Sequence, residues 1–195
     1  MPVRHRRHWI FDLDGTLTVA VHDFDDLRRS LGLPLAVPIL EAIAGLEPAA
    51  AARTIRRLDA MELALAERAR PQPDAQAMLA TLQARGCRLG IVTRNSEANA
   101  AVTLQVAGLA RFFAPRDVIG RESCPPKPSP EGVTHLLARW EAAGADAVMV
   151  GDYLYDLQAG RAAGTGTVLF DPGAAFRWRE HADLCIDRLA ALTQP

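Results

Sequence analysis

The feature that most constrains this chain is a short apolar run ending in an acid, His-Trp-Ile-Phe-Asp at residues 8–12, followed at once by Leu-Asp-Gly-Thr. A strand that is apolar on both faces has to be covered on both faces, as a central strand of a parallel sheet is. Comparable runs recur at residues 88–93, 117–120, 147–152, 166–170 and 184–186. Helical stretches at 74–84, 97–107, 130–141 and 157–163 separate most of them. Their starts are marked by Pro71 and Pro73, by Ser96 as a cap and by Pro130 in a first turn, and Gly86, Gly108, Gly144 and Gly164 follow their ends. Strands alternating with helices in this way predict an α/β domain around a mainly parallel sheet.

One interval breaks the alternation. Residues 18–72, between the first and second strands, contain no convincing strand and read as helices at 24–31, 39–44 and 49–70, with breaks at 32–34 and 45–48. Ile55, Leu58, Met61 and Leu65 recur at three- and four-residue spacings, a packing stripe. The expected division is a core of residues 1–17 and 73–195, with a small helical cap at 18–72 whose crossings lie near Thr18 and Pro71.

With 195 residues, the chain can bury one sizeable core. Its mean hydropathy of +0.02 fits a globular protein. A formal charge of −1 argues against nucleic acid or an anionic membrane as partner. The basic cluster Arg-His-Arg-Arg-His at 4–8 leads straight into a strand and reads as an exposed terminus, not a targeting or binding arm. No run approaches the length of a membrane-spanning helix. Cys87, Cys124 and Cys185 lack metal-ligand spacing and read as reduced thiols, so the expected location is cytoplasmic. The sequence carries no signal for oligomeric state.

The chemistry-bearing residues stand at the carboxyl ends of predicted strands, the edge where open α/β sheets bind ligands. Asp12 and Asp14 close the first strand, with Gly15 turning the chain. Thr93 ends the second, just before a helix that starts behind Ser96, where a hydroxyl and free amides can seat a phosphate. Asp152 and Asp156 follow the fourth. Carboxylates crowded together raise one another's pKa unless cations compensate. Mg²⁺ is one natural remedy, since it takes a few carboxylates plus water and phosphate oxygens. Lys127 is the other: it is the chain's one lysine beside twenty-one arginines, in Cys-Pro-Pro-Lys-Pro-Ser-Pro. A calcium loop is excluded, because Thr16 and Leu17 occupy positions that need an oxygen ligand and a glycine.

Phe-Asp-Leu-Asp-Gly-Thr at 11–16, Thr93, Lys127 and Gly-Asp-x-x-x-Asp at 151–156 resemble, in order and over nearly the whole chain, the motifs of the haloacid dehalogenase-like hydrolases. The insert position resembles the helical-cap subgroup that includes phosphoglycolate phosphatase and β-phosphoglucomutase. The resemblance implies a Rossmann-like fold with the first strand central. It also implies a Mg²⁺-dependent phosphatase, with Asp12 as nucleophile, Asp14 as general acid/base, and Thr93, Arg94 and Lys127 on the phosphoryl group. Asp12, Asp14 (through its carbonyl), Asp152 and Asp156 would surround the metal, and a small phosphorylated metabolite would be the substrate. A phosphomutase is the alternative, and a receiver-like phospho-aspartate module ranks below both. In the cap, His22, Arg28, Arg29, Arg53, Arg56 and Arg57 could meet a substrate anion. Residues 173–181, with Phe176 and Trp178, match no motif.

Overall fold

A computed structural model describes residues 3–194. Six strands form one parallel sheet: β1 (His8–Phe11), β2 (Arg88–Val92), β3 (Val118–Ile119), β4 (Ala147–Gly151), β5 (Gly166–Phe170) and β6 (Leu184–Ile186). Their order is β3-β2-β1-β4-β5-β6, with β1 between β2 and β4 as expected of a Rossmann-like sheet. The order reverses beside β1, so the crevice at the carboxyl ends of β1 and β4 is the switch point where such sheets take ligands.

Seven α-helices are present among the described residues: α1 (Phe24–Leu31), α2 (Ile39–Ala44), α3 (Pro48–Ala66), α4 (Ala75–Ala84), α5 (Glu97–Val106), α6 (Glu131–Arg139) and α7 (Leu154–Ala162). Successive β1 side chains point to opposite faces. Trp9 and Phe11 join Met78, Leu79 and Leu82 of α4 and Leu104 of α5 on one face. Ile10 joins Val133, Leu136 and Leu137 of α6 and Ala159 of α7 on the other. Full burial of each such large side chain contributes about 1.5–3 kcal/mol.

Helices α1–α3 form a separate helical lobe with an apolar cluster of its own, in which Leu27, Leu31, Ile39, Ile43 and Leu58 are buried and Ile55 and Met61 pack against them. The chain enters and leaves this lobe side by side. Thr18 bridges Pro71, Val19 N donates to the Arg70 carbonyl at 2.9 Å, and Gln72 N donates to the Leu17 carbonyl at 2.9 Å.

Several elements differ from their expected extent, and in three the cause is visible. Helix α3 ends at Ala66, not at residue 70, because Arg70 precedes Pro71, which disfavours helical backbone, and its carbonyl is drawn into the paired crossing. Strand β3 has two residues, since Pro115–Asp117 forms a 3-10 turn. Helix α7 starts at Leu154, three residues early, because the Asp156 carboxylate accepts the Tyr153 N–H at 3.0 Å and closes the first turn.

Candidate active site

Asp12 continues β1 by donating its N–H to the Val150 carbonyl at 2.9 Å. Its carboxylate therefore emerges at the switch point. Lys127 arrives from the loop before α6 and is 2% exposed. Its ammonium lies 2.6 Å from Asp12 Oδ1 and 2.6 Å from Asp156 Oδ1. Burial works to lower the Lys127 pKa, but the carboxylates of Asp12 and Asp156 overturn that and raise it, so the ammonium stays charged.

Oxygens of Asp12, Asp152 and Asp156 lie within 4.8 Å of one another, a hard-oxygen cluster that could hold a metal ion. Burial, reinforced by the charges of Asp12 and Asp156, pushes Asp152 up to about 8. Asp156 is pushed up to about 6 by burial, against the pull of Lys127. One ammonium thus leaves this group of acids short of positive charge. Thr16 Oγ1 orients Asp152 by donating to Oδ1 at 3.1 Å. Both Asp156 oxygens are engaged, one by Lys127 and the other by the Tyr153 amide.

Gly15 makes this approach possible. Its φ is +93°, and a Cβ there would come within 2.6 Å of Asp152 Oδ2. Gly15→Ala is expected to lower kcat/KM about tenfold, ~1.4 kcal/mol, by displacing Asp152. Steady-state kinetics beside a melting curve test this, and a folded variant with unchanged kcat/KM would contradict it.

Asp14 faces the same space. Asn95 Nδ2 donates to its Oδ2 at 3.1 Å. Burial raises its pKa, opposed by nearby His22 and reinforced by Asp12. Thr93 ends β2 with its N–H on the Ile119 carbonyl at 2.9 Å, and its hydroxyl accepts the Asn95 N–H at 3.0 Å. Ser96 caps α5 by accepting the Asn99 N–H at 3.1 Å.

Arg94 also borders the site, but its guanidinium is occupied. It donates to both Glu41 oxygens, at 3.0 and 2.7 Å, and to the Lys127 carbonyl, and it lies over the Tyr155 ring at 5.1 Å. Of the six helical-lobe residues with a possible anion role, His22 and Arg28 line the cavity. Arg29, Arg53, Arg56 and Arg57 lie on exposed faces.

The cavity over these groups has a volume of about 340 Å³. Sequence reasoning missed Arg121, Glu62 and Tyr155 in its wall. Arg121 follows β3 at the same sheet edge and pairs with Asp59 and with Glu62 (2.7 Å) of α3. The carboxyl-end rule that found Thr93 applies to it equally. Glu62 stands four residues after buried Leu58, and an acid on a packing stripe is itself a signal. Burial raises the Glu62 pKa against the pull of Arg121.

A sequence-family model of the haloacid dehalogenase-like hydrolases matches residues 7–164. A phosphoglycolate phosphatase of Neisseria meningitidis is 30% identical over 187 residues, covering 83% of this chain and 79% of that protein. A haloacid dehalogenase-like hydrolase domain-containing protein of Arabidopsis thaliana is 29% identical over 174 residues, covering 83% of this chain and 69% of that one. Among solved structures, a hydrolase from Pseudomonas syringae superposes with a TM-score of 0.79 at 19% identity over 94% of both chains. CbbY from Rhodobacter sphaeroides, solved with phosphate, gives 0.73 at 23% identity over 96% of both. The fold, the motif order and a family match running from β1 through α7 lead to one assignment: this chain belongs to the haloacid dehalogenase-like hydrolases.

Proposed function

We propose that the protein is a Mg²⁺-dependent phosphoric monoester hydrolase, similar in chemistry to phosphoglycolate phosphatases, acting on small phosphorylated metabolites through an aspartyl-phosphate. The observation that carries this reading is the buried Lys127 ammonium shared by Asp12 and Asp156 at the sheet's switch point. In this reading residues 1–17 and 73–195 are the catalytic core, and the helical lobe of residues 18–72 is its cap.

Asp12 is the nucleophile. One of its oxygens is held by Lys127, and the carboxylate attacks phosphorus in line while the bond to the leaving oxygen breaks. Asp14, whose pKa is raised by burial, carries the proton that the leaving alkoxide takes. The Asp14 carboxylate then takes a proton from the water that attacks the phosphoenzyme, releasing phosphate and restoring Asp12. Thr93, Arg94 and Lys127 steady the phosphoryl oxygens, Arg94 from the pairing with Glu41 described above.

Asp12, Asp152 and the Asp14 carbonyl would hold Mg²⁺, with Asp156 beside them. When bound, the ion supplies positive charge against the phosphoryl oxygens and the acid cluster. Phosphate release from an aryl phosphate, dependent on Mg²⁺ and abolished by EDTA, is the direct test. Full activity in EDTA would rule the reading out.

Metal binding is also expected to depend on pH. A carboxyl pushed up to about 8 must lose its proton to bind a cation. The apparent Mg²⁺ dissociation constant should fall about tenfold from pH 6 to 7 and level off above pH 8. For the stability of the metal-free protein the sign is opposite. Asp152's folded pKa lies above its ordinary value of 3.8, so its contribution is fully present below that value and is lost as pH rises toward about 8. Mg²⁺ should therefore raise the melting temperature more at pH 8.5 than at pH 5.5. Calorimetry and thermal melts at those pH values check both, and a pH-independent affinity would show that Asp152 is already ionised over this range.

A further inference from the structure

Above the acid cluster, every guanidinium that lines the cavity already has a carboxylate. Arg28 pairs with Asp25 at 2.9 Å, Arg94 with Glu41, and Arg121 with Asp59 and Glu62. His22 is the remaining cationic candidate. It lies near the carboxylates of both Asp14 and Glu62 and stacks on Phe24, with ring centroids 5.6 Å apart. A second anionic group would therefore have to compete with these carboxylates for each guanidinium of the wall, leaving it His22 beside Asp14 and Glu62. An anion placed there unpaired would be desolvated and would face Glu62.

Apart from Thr93 and Asn95, the rest of the wall is apolar or aromatic, and two of its rings are open to solvent: Phe24 is 55% exposed and Tyr153 is 48% exposed. The unassigned segment at 173–181 meets the site here. Trp178 packs edge-on against Tyr153 with ring centroids 5.7 Å apart. Tyr153 in turn packs edge-on against Tyr155 at 5.1 Å. Arg177 covers Trp178 from outside, 4.6 Å from its ring centroid. Tyr153 is thus fixed between two aromatic neighbours as a shelf at the cavity wall.

We infer that this hydrolase prefers phosphate monoesters whose organic part is uncharged and apolar or aromatic, and that Tyr153, positioned by Trp178, sets that preference. This rests on the phosphatase reading and narrows it. A substrate such as phosphoglycolate, with a carboxylate on its organic part, is a poor fit to this wall. An aromatic or aliphatic body buries area against Tyr153 and Phe24 and needs no counter-ion.

The test is phosphate release by the full chain with Mg²⁺ from benzyl phosphate, propyl phosphate and phosphoglycolate. All three lose an alkoxide, so none carries an activated leaving group. The expected kcat/KM for benzyl phosphate exceeds that for phosphoglycolate by at least about tenfold, with propyl phosphate between them. Tyr153→Ala should lower the benzyl-to-propyl ratio about fivefold, mainly through KM. Trp178→Ala should shift the ratio in the same direction by less, since Trp178 does not line the cavity. Tyr153→Leu, which keeps apolar bulk, should fall between wild type and Tyr153→Ala, and circular dichroism confirms folding of each variant. Phosphoglycolate turned over as well as benzyl phosphate would overturn this inference and leave the hydrolase reading standing. An unchanged benzyl-to-propyl ratio in folded Tyr153→Ala would overturn the role of Tyr153. Absence of phosphate release from all three esters and from the aryl phosphate would sink the hydrolase reading, and this inference with it.

Discussion

Asp12→Asn is expected to reduce phosphate release by at least about four orders of magnitude, ~5.5 kcal/mol of transition-state stabilisation. An amide cannot become an acyl phosphate, so the covalent route closes however well the substrate fits. The substitution is nearly isosteric, and the Asn oxygen can still accept from the Lys127 ammonium, now 2.6 Å from Asp12 Oδ1. The fold should therefore persist while turnover is lost. Rapid quench with labelled substrate should trap a phosphoenzyme in the wild type and none in the variant. More than about one per cent residual activity would exclude Asp12 as the nucleophile.

Lys127 is expected to carry the largest combined effect on stability and turnover. Lys127→Met leaves two buried carboxylates, Asp12 and Asp156, without the cation that meets both at 2.6 Å. Removing one partner of a buried charge pair typically costs about 3–5 kcal/mol. In a domain of this size that corresponds to a fall in Tm of roughly 6–20 °C. Lys127→Arg keeps the charge but not the shape. A planar, forked guanidinium is too wide for a site where the ammonium is 2% exposed and sits between two oxygens. It should cost at least tenfold in kcat/KM, ~1.4 kcal/mol. Melting curves and steady-state kinetics on both variants test this. Wild-type kinetics in Lys127→Arg would show that a compact ammonium is not required.

The core was legible because its signals are local. Each strand of the sheet is a short apolar run bounded by a glycine, proline or acid, and a parallel sheet buried on both faces leaves such runs unbroken. The boundaries that slipped were set by non-local partners. Arg70 reads as helical from its own neighbourhood, yet its carbonyl is held by Val19, far away in sequence. In the site, Asp12, Asp14, Thr93 and Asp152 could be picked out because strand ends of one sheet meet at one edge, and Lys127 because it is the chain's one lysine. What could not be read was which charges are already engaged. The sequence around Arg94 does not show that Glu41 of α2 pairs with it, and Arg121 attracts no notice until Asp59 and Glu62 of α3 reach it. Trp178 meets the site only through Tyr153, a contact between residues 173–181 and the motif at 151–156 that neither stretch announces.

The apolar clusters have a mechanical consequence. The cluster of α1–α3 and the two flanking the sheet share no residue, and none of the three spans the seam between them. Across that seam run the Arg94–Glu41 and Arg121–Asp59/Glu62 ion pairs and an Asn99-to-Asp59 hydrogen bond at 3.0 Å. Parting the two bodies would thus uncover these charges together with the apolar residues of the cavity wall. Of these pairs, Arg94–Glu41 is partly exposed and open to screening by added salt, whereas Arg121 and Glu62 are buried and screened far less. Salt concentration therefore acts on the outer half of the clasp, at Arg94 and Glu41, more directly than on its buried half at Arg121 and Glu62.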